Sequence, residues 1–128
     1  MAKKILNIIS SAYRATIEEQ DDTIVWLSHA MKGQGADVDV LLKGKAVNYA
    51  VKAQNAAGIS IGAWSQRNPP DLVADVTALM SKGVQVYVLA DDAAMLGLEP
   101  SDLVSGVKPL FRKNVAELFG SYDYVWTW

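Results

Sequence analysis

The chain predicts an α/β fold: three layers, with a mostly parallel sheet of about five strands between helices. Three observations lead there. Short branched apolar runs alternate with segments of helical period along the whole length. Hydrophobic residues make up 51% of 128 residues, enough for one sizeable core. No internal repeat, low-complexity tract or dividing linker interrupts the alternation, so residues 1–128 read as a single domain.

Ile5 to Ile9, behind Lys3-Lys4, is rich in branched residues and reads as the first strand. Ser10 to Ala15 is the loop at its carboxyl end. Thr16 opens a helix, with Glu19 at capping-box spacing. Ile17, Ile24, Leu27 and Met31 form its inward stripe, and Gly33 and Gly35 end it. Asp37 to Leu42 alternates acidic and apolar residues and then turns apolar, a second strand. After the Lys43-Gly44-Lys45 turn, Ala46 to Ala53 reads as a short helix. Gln54 to Pro70 is the least regular stretch, with a short strand about Ser60. Asn68 followed by Pro69 has the form of a helix start. Leu72, Val76, Leu79 and Met80 then give a helix its buried face. Val84 to Leu89 is the next strand. A short strand fits within Leu103 to Leu110, a helix over Lys113 to Phe119, and an aromatic closing strand over Tyr122 to Trp128.

Net charge is −2 with a pI near 5.2, and the basic residues are scattered, so no nucleic acid or anionic membrane is implied as a partner. No apolar stretch approaches the roughly 20 residues of a membrane span. Met1 to Lys4 leads into too short an apolar run for a signal peptide, so the expected location is cytoplasmic. The chain has no cysteine, which excludes disulfides, thiolate catalysis, thiolate zinc sites and persulfide carriage.

Residues Gly83 to Gly97 (GVQVYVLADDAAMLG) bring an apolar strand into a polar step and a short helical turn. The layout resembles the DsrE/DsrF-like family of intracellular sulfur-relay proteins. The resemblance extends, as a series of short matches in shared order, over Ile5 to Gly33, Val38 to Val51 with its Val47-Asn48-Tyr49-Ala50 helix, Leu98 to Gly106, and the tail from Val115 to Leu118 and Tyr122 to Trp126. It implies a sandwich flavodoxin-like in appearance and assembly into homo-trimers or hexamers. It also implies transfer of sulfur as a cysteine persulfide, but Leu89 stands where the family keeps its cysteine. A hydrocarbon side chain flanked by Val88 and Ala90 carries no sulfur. What remains is a non-catalytic accessory protein that self-assembles and binds a small molecule or a partner protein, with no cofactor indicated.

Candidate site residues cluster at the expected carboxyl ends of strands, where open α/β sheets bind ligands. Asp91 and Asp92 can hold a metal or act as acid and base, which makes an enzyme the alternative function; the plainer reading is that one caps the next turn and the other is solvated. Tyr13, Arg14 and Thr16 follow the first strand and can take an anion, or Arg14 is an ordinary paired surface cation. The loop has no glycine, so a phosphate cradle is not supported, although a flavodoxin-like cofactor binder stays open as a further alternative. With Leu89, these residues outline a candidate pocket. Trp64 and Arg67 either cover it or pack on a neighbouring subunit. His29, the single histidine, reads as a partly exposed structural residue inside the first helix, not a metal ligand. Tyr124, Trp126 and Trp128 alternate and share one strand face. They lie against the last helix near Phe111 and Phe119, or they form a subunit interface.

Overall fold

The structure, a computed structural model, describes residues 2–13, 22–54 and 57–128. In chain order its elements are strand β1 (Lys4–Ile9), helix α1 (Thr23–Gly33), strand β2 (Asp37–Leu42), a 3-10 helix (Gly44–Ala50), strands β3 (Ser60–Ile61) and β4 (Trp64–Ser65), helix α2 (Leu72–Ser81), strand β5 (Val86–Leu89), helix α3 (Ala90–Met95), a 3-10 turn (Pro100–Asp102), strand β6 (Lys108–Leu110), a 3-10 turn (Arg112–Asn114), helix α4 (Val115–Phe119) and strand β7 (Tyr124–Thr127). Five strands form one sheet in the order β6-β5-β2-β1-β7. Every neighbouring pair in it is parallel. This is the predicted α/β architecture.

The pleat sorts β1 into two cores. Ile5 and Ile9 face one side, where Val40, Leu42, Val86 and Val88 join residues from α1, α2, α3 and the 3-10 helix. Leu6 and Ile8 face the other, with Leu41, Leu89 and Leu110, covered by Val115, Leu118 and Phe119 of α4 and its approach. The first core is deep and the second shallow, because among the described residues one helix of five residues covers the second face. Each fully buried aliphatic side chain contributes about 1.5–3 kcal/mol.

Several boundaries differ from the sequence expectation, each for a local reason. Helix α1 starts from Asp22, whose ψ of 136° is extended and whose carboxylate accepts from the N–H groups of Ile24 and Val25 at 2.9 and 3.3 Å. Thr16, Ile17 and Glu19, the expected start, lie outside the described residues. Ile24 is buried and Leu27 and Met31 are half-buried, but Val25 and Ser28 are fully buried and widen the inward face. Helix α2 starts from Asp71, which accepts from Ala74 N–H at 3.0 Å, and not from Asn68. The reason is the second proline: Pro70 pushes Pro69 out of helical geometry, so the helix waits one more cap. The expected Ala46–Ala53 helix is a 3-10 helix over Gly44–Ala50; Val51 leaves it to bridge Leu103. The strand about Ser60 exists but belongs to a separate two-stranded hairpin with Trp64–Ser65.

Candidate functional site

The loops leaving the carboxyl ends of the strands are tied together in the order of the sheet. At the β7 end, the backbone oxygen of Trp128 accepts from Ser10 Oγ at 3.0 Å. Ser10 follows β1, and Lys43 N–H returns to Ile9 O at 3.0 Å. The next residue, Gly44, donates its N–H to Asp92 Oδ2 at 2.6 Å. Asp92 Oδ1 pairs with Arg112 Nη2 at 2.8 Å, and Asp91 Oδ2 accepts Arg112 N–H at 2.6 Å. The exits of β7, β1, β2, β5 and β6 are thereby joined in one chain of contacts. Gly44 makes the middle link possible: its φ is +56°, and a Cβ there would sit 3.3 Å from Ser10 O.

These contacts correct the reading of the acidic pair. Asp91 and Asp92 do not converge on one open site, because successive residues of α3 point about 100° apart. Nor does one cap its own turn while the other stays solvated. Asp91 holds the backbone after β6, and Asp92 bridges the backbone after β2 to the guanidinium after β6. Arg112, which sequence reasoning passed over, is the residue both carboxylates serve.

Beyond β1 a second polar cluster forms. Tyr49 and Asp22 are both fully buried, and the Tyr49 hydroxyl donates to Asp22 Oδ2 at 2.6 Å. The same hydroxyl accepts the N–H of Tyr13. Tyr13 is the one non-glycine residue of positive φ among the described residues, at 55°. Its ring meets Tyr49 edge-on with centroids 5.3 Å apart, and its hydroxyl donates to Gln54 Oε1 at 3.1 Å. Partial burial raises its phenol above the usual pKa. A non-glycine residue held in the left-handed region at a strand exit is a common mark of a functional loop. Arg14 and Thr16 lie outside the described residues.

Leu89 does end a strand, as expected, but its side chain is 4% exposed and packs with Leu6, Ile8, Leu41 and Leu110. It belongs to the second core. Trp64 and Arg67 lie on and just after the β3–β4 hairpin, which is a sheet separate from the main one. Trp64 is exposed there with Ile59 and Ile61. His29 is half-buried in α1, its Nε2 3.0 Å from Asp75 O, in line with a structural role. Among the described residues no group of three or more histidine, aspartate and glutamate side chains is placed to hold a metal.

The aromatic strand also departs from one expectation. Tyr124 pairs with Ile5 and Trp126 with Asn7, so both lie on the α1 face of the sheet, opposite α4. The last helix therefore does not cover them; Val125 faces it instead. Tyr124 and Trp126 stack with centroids 6.1 Å apart, and Tyr124, Trp126 and Trp128 remain 46%, 40% and 38% exposed. Trp128 Nε1 donates to Asn7 Oδ1 at 3.3 Å, while Asn7 Nδ2 donates to Ser28 Oγ at 3.0 Å. Asn7 is fully buried, and its lone amide in an apolar strand was the one sequence signal for this network. At the amino end, Asp39 is 4% exposed and accepts from Gln85 N–H at 2.8 Å and Tyr122 Oη at 2.7 Å. Desolvation, followed by the bond to Asp39 and its charge, drives the Tyr122 phenol far above its usual pKa.

No family model and no curated protein sequence matches the chain. Solved structures do match its fold. The ychN protein of Escherichia coli is 18% identical, with 100% of both chains covered and a TM-score of 0.72. BT1422 of Bacteroides thetaiotaomicron, a conserved protein of unknown function, is 11% identical over 98% of this chain and 95% of its own, TM-score 0.68. MTH1491 of Methanobacterium thermoautotrophicum, also of unknown function, is 15% identical over 95% of this chain and 96% of its own, TM-score 0.58. The parallel five-stranded α/β fold is thus shared end to end with small proteins from bacteria and a methanogen.

Proposed function

We propose that the chain is a DsrE/DsrF-like protein that has lost covalent sulfur transfer and acts by self-assembly and by binding a small molecule or partner protein. The observation that carries this is Leu89: it ends β5 at the position where the resemblance places a cysteine, and it is buried among hydrocarbons in a chain without any thiol. The occupied carboxylates support a binding protein over an acid–base enzyme, since Asp91 and Asp92 are committed to Gly44 and Arg112. The strained Tyr13 and the laced exits beside it give a preorganised rim for a ligand. The exposed Tyr124, Trp126 and Trp128 supply apolar surface for assembly.

Native mass spectrometry of the purified protein tests both halves at once. A trimer or hexamer carrying a co-purifying small molecule, weakened by Tyr13→Ala, is the expected result. A monomer at high concentration, with no bound species, refutes the proposal.

A further inference from the structure

The two edges of the sheet are treated oppositely. The β6 edge is three residues long and carries Lys108 and Pro109, which blunt strand pairing by charge and by a missing donor. The β7 edge reads Tyr-Val-Trp-Thr and carries no charge, proline or bulge. Trp128 makes its backbone bonds inward, donating to Ile8 O at 3.0 Å and accepting from Ser10 N–H at 3.4 Å. Alternation then sends the N–H and C=O groups of Val125 and Thr127 outward, along an open edge. Beside them Tyr124, Trp126 and Trp128 expose about two-fifths of their surface, roughly 250 Å² in all, given about 150–250 Å² per side chain.

We infer that β7 pairs antiparallel with β7 of a second copy of this chain, across a two-fold axis through Trp126, joining two sheets into one. The occupant follows from the edge itself. Pairing Val125 with the partner's Thr127, and Thr127 with the partner's Val125, satisfies all the outward groups of both residues, with Trp126 facing Trp126 of the partner subunit between them. The strand is neutral and self-complementary, so no foreign charge is required. Head-to-tail pairing of β7 on β6 would give open filaments, and Lys108 and Pro109 stand against it; the contact closes after two copies. The patch is smaller than the roughly 800 Å² per partner of a standard interface, so this pairing serves as one contact of a larger assembly. It rests on the self-assembly proposed above and sharpens it, because a two-fold contact fits a dimer or a hexamer and not a bare three-fold trimer.

The chain has no cysteine, so a single engineered thiol reports the contact cleanly. Trp126→Cys places two sulfurs across the axis within disulfide reach, since opposed non-hydrogen-bonded pairs have Cα atoms about 4.5 Å apart. Mild oxidation should convert most of that variant to a covalent dimer, while Trp26→Cys on exposed α1 stays uncrosslinked. Thr127→Pro removes only an outward N–H, which the monomer tolerates at an edge. By light scattering it should halve the subunit number of a hexamer, or turn a dimer into monomers, with an unchanged circular dichroism spectrum. A trimer that is the same in wild type and Thr127→Pro, with Trp126→Cys uncrosslinked, overturns the edge pairing and leaves self-assembly standing. A wild-type monomer overturns both. Should Thr127→Pro unfold the chain, the cysteine pair decides alone.

Discussion

Replacing Asp92 with alanine tests whether the acidic step is a structural tie. The substitution removes two contacts at once. Gly44 N–H loses a 2.6 Å bond to a carboxylate, and Arg112 loses its 2.8 Å ion pair. A hydrogen bond to a charged group contributes about 1.5–3 kcal/mol, more so when the stranded donor is partly buried as Gly44 is. The ion pair adds little, at most about 1 kcal/mol, because the Arg112 side chain is 63% exposed and screened by solvent. Asp92→Ala should therefore destabilise the protein by about 2–3 kcal/mol, and Arg112→Ala by less than about 1. Unfolding entropy near 2.1 cal/mol/K per residue gives about 0.27 kcal/mol/K for this chain, so Asp92→Ala should lower Tm by roughly 7–11 °C. Urea titration followed by tryptophan fluorescence measures the free energies, and scanning calorimetry the midpoints. Adding 1 M salt should shrink the Arg112 effect and leave most of the Asp92 effect. Equal losses in the two variants, or an Asp92→Ala protein as stable as wild type, would refute the tie and reopen Asp92 to chemistry.

Three further outcomes are expected. Tyr49→Phe strips the buried Asp22 carboxylate of a 2.6 Å partner and Tyr13 N–H of its acceptor; calorimetry should register a loss of about 1.5–3 kcal/mol, and faster exchange of the Tyr13 amide. Tyr122 has a folded pKa raised above its ordinary value of 10.0, so its neutral form stabilises the fold fully below pH 10 and that contribution is lost as pH climbs beyond it. Wild-type stability should fall in that alkaline range, whereas Tyr122→Phe, weaker at pH 7 by about 1–3 kcal/mol through the lost bond to Asp39, should fall less; identical alkaline profiles would count against the coupling. Leu89→Cys places a thiol at the strand end, but inside a hydrocarbon core, where thiols are inert. It should react with a thiol reagent only on unfolding; rapid reaction in the native protein would show that position 89 opens to solvent.

What the sequence disclosed and what it hid divide along one line. Periodicity located the sheet strands and helix α2, because hydrophobic spacing is a local property: Leu72, Val76 and Leu79 recur at helical intervals and are all buried. Features that depend on register were hidden. Alternation put Tyr124, Trp126 and Trp128 on one face, but only the pairing of Trp126 with Asn7 decides that the face is that of α1. The acidic step was visible as a motif, yet its partners Gly44 and Arg112 lie 48 and 20 residues from Asp92. Nothing local announces that Tyr122 and Tyr49 come to meet the carboxylates of Asp39 and Asp22. The cap at Asn68 failed for a reason present in the sequence, the Pro69-Pro70 pair, whose second member governs the first.

The distribution of satisfied and exposed groups bears on what this scaffold does. Along the carboxyl edge, where open α/β sheets place their chemistry, Asp91 and Asp92 are spent on the loops themselves, and the end of β5 at Leu89 is packed with leucine and isoleucine. Catalysis needs polar groups held in readiness for a reacting molecule. Here the polar groups hold the protein. The flank of the sheet is the reverse: an uncharged edge strand with outward backbone groups and three large aromatic faces, next to a rim where Tyr13 is kept in a strained conformation. Such surfaces are costly to leave bare, since open edges invite indiscriminate pairing. Their persistence at one edge, when the opposite edge carries the lysine and proline that prevent it, is what the proposed β7 pairing requires.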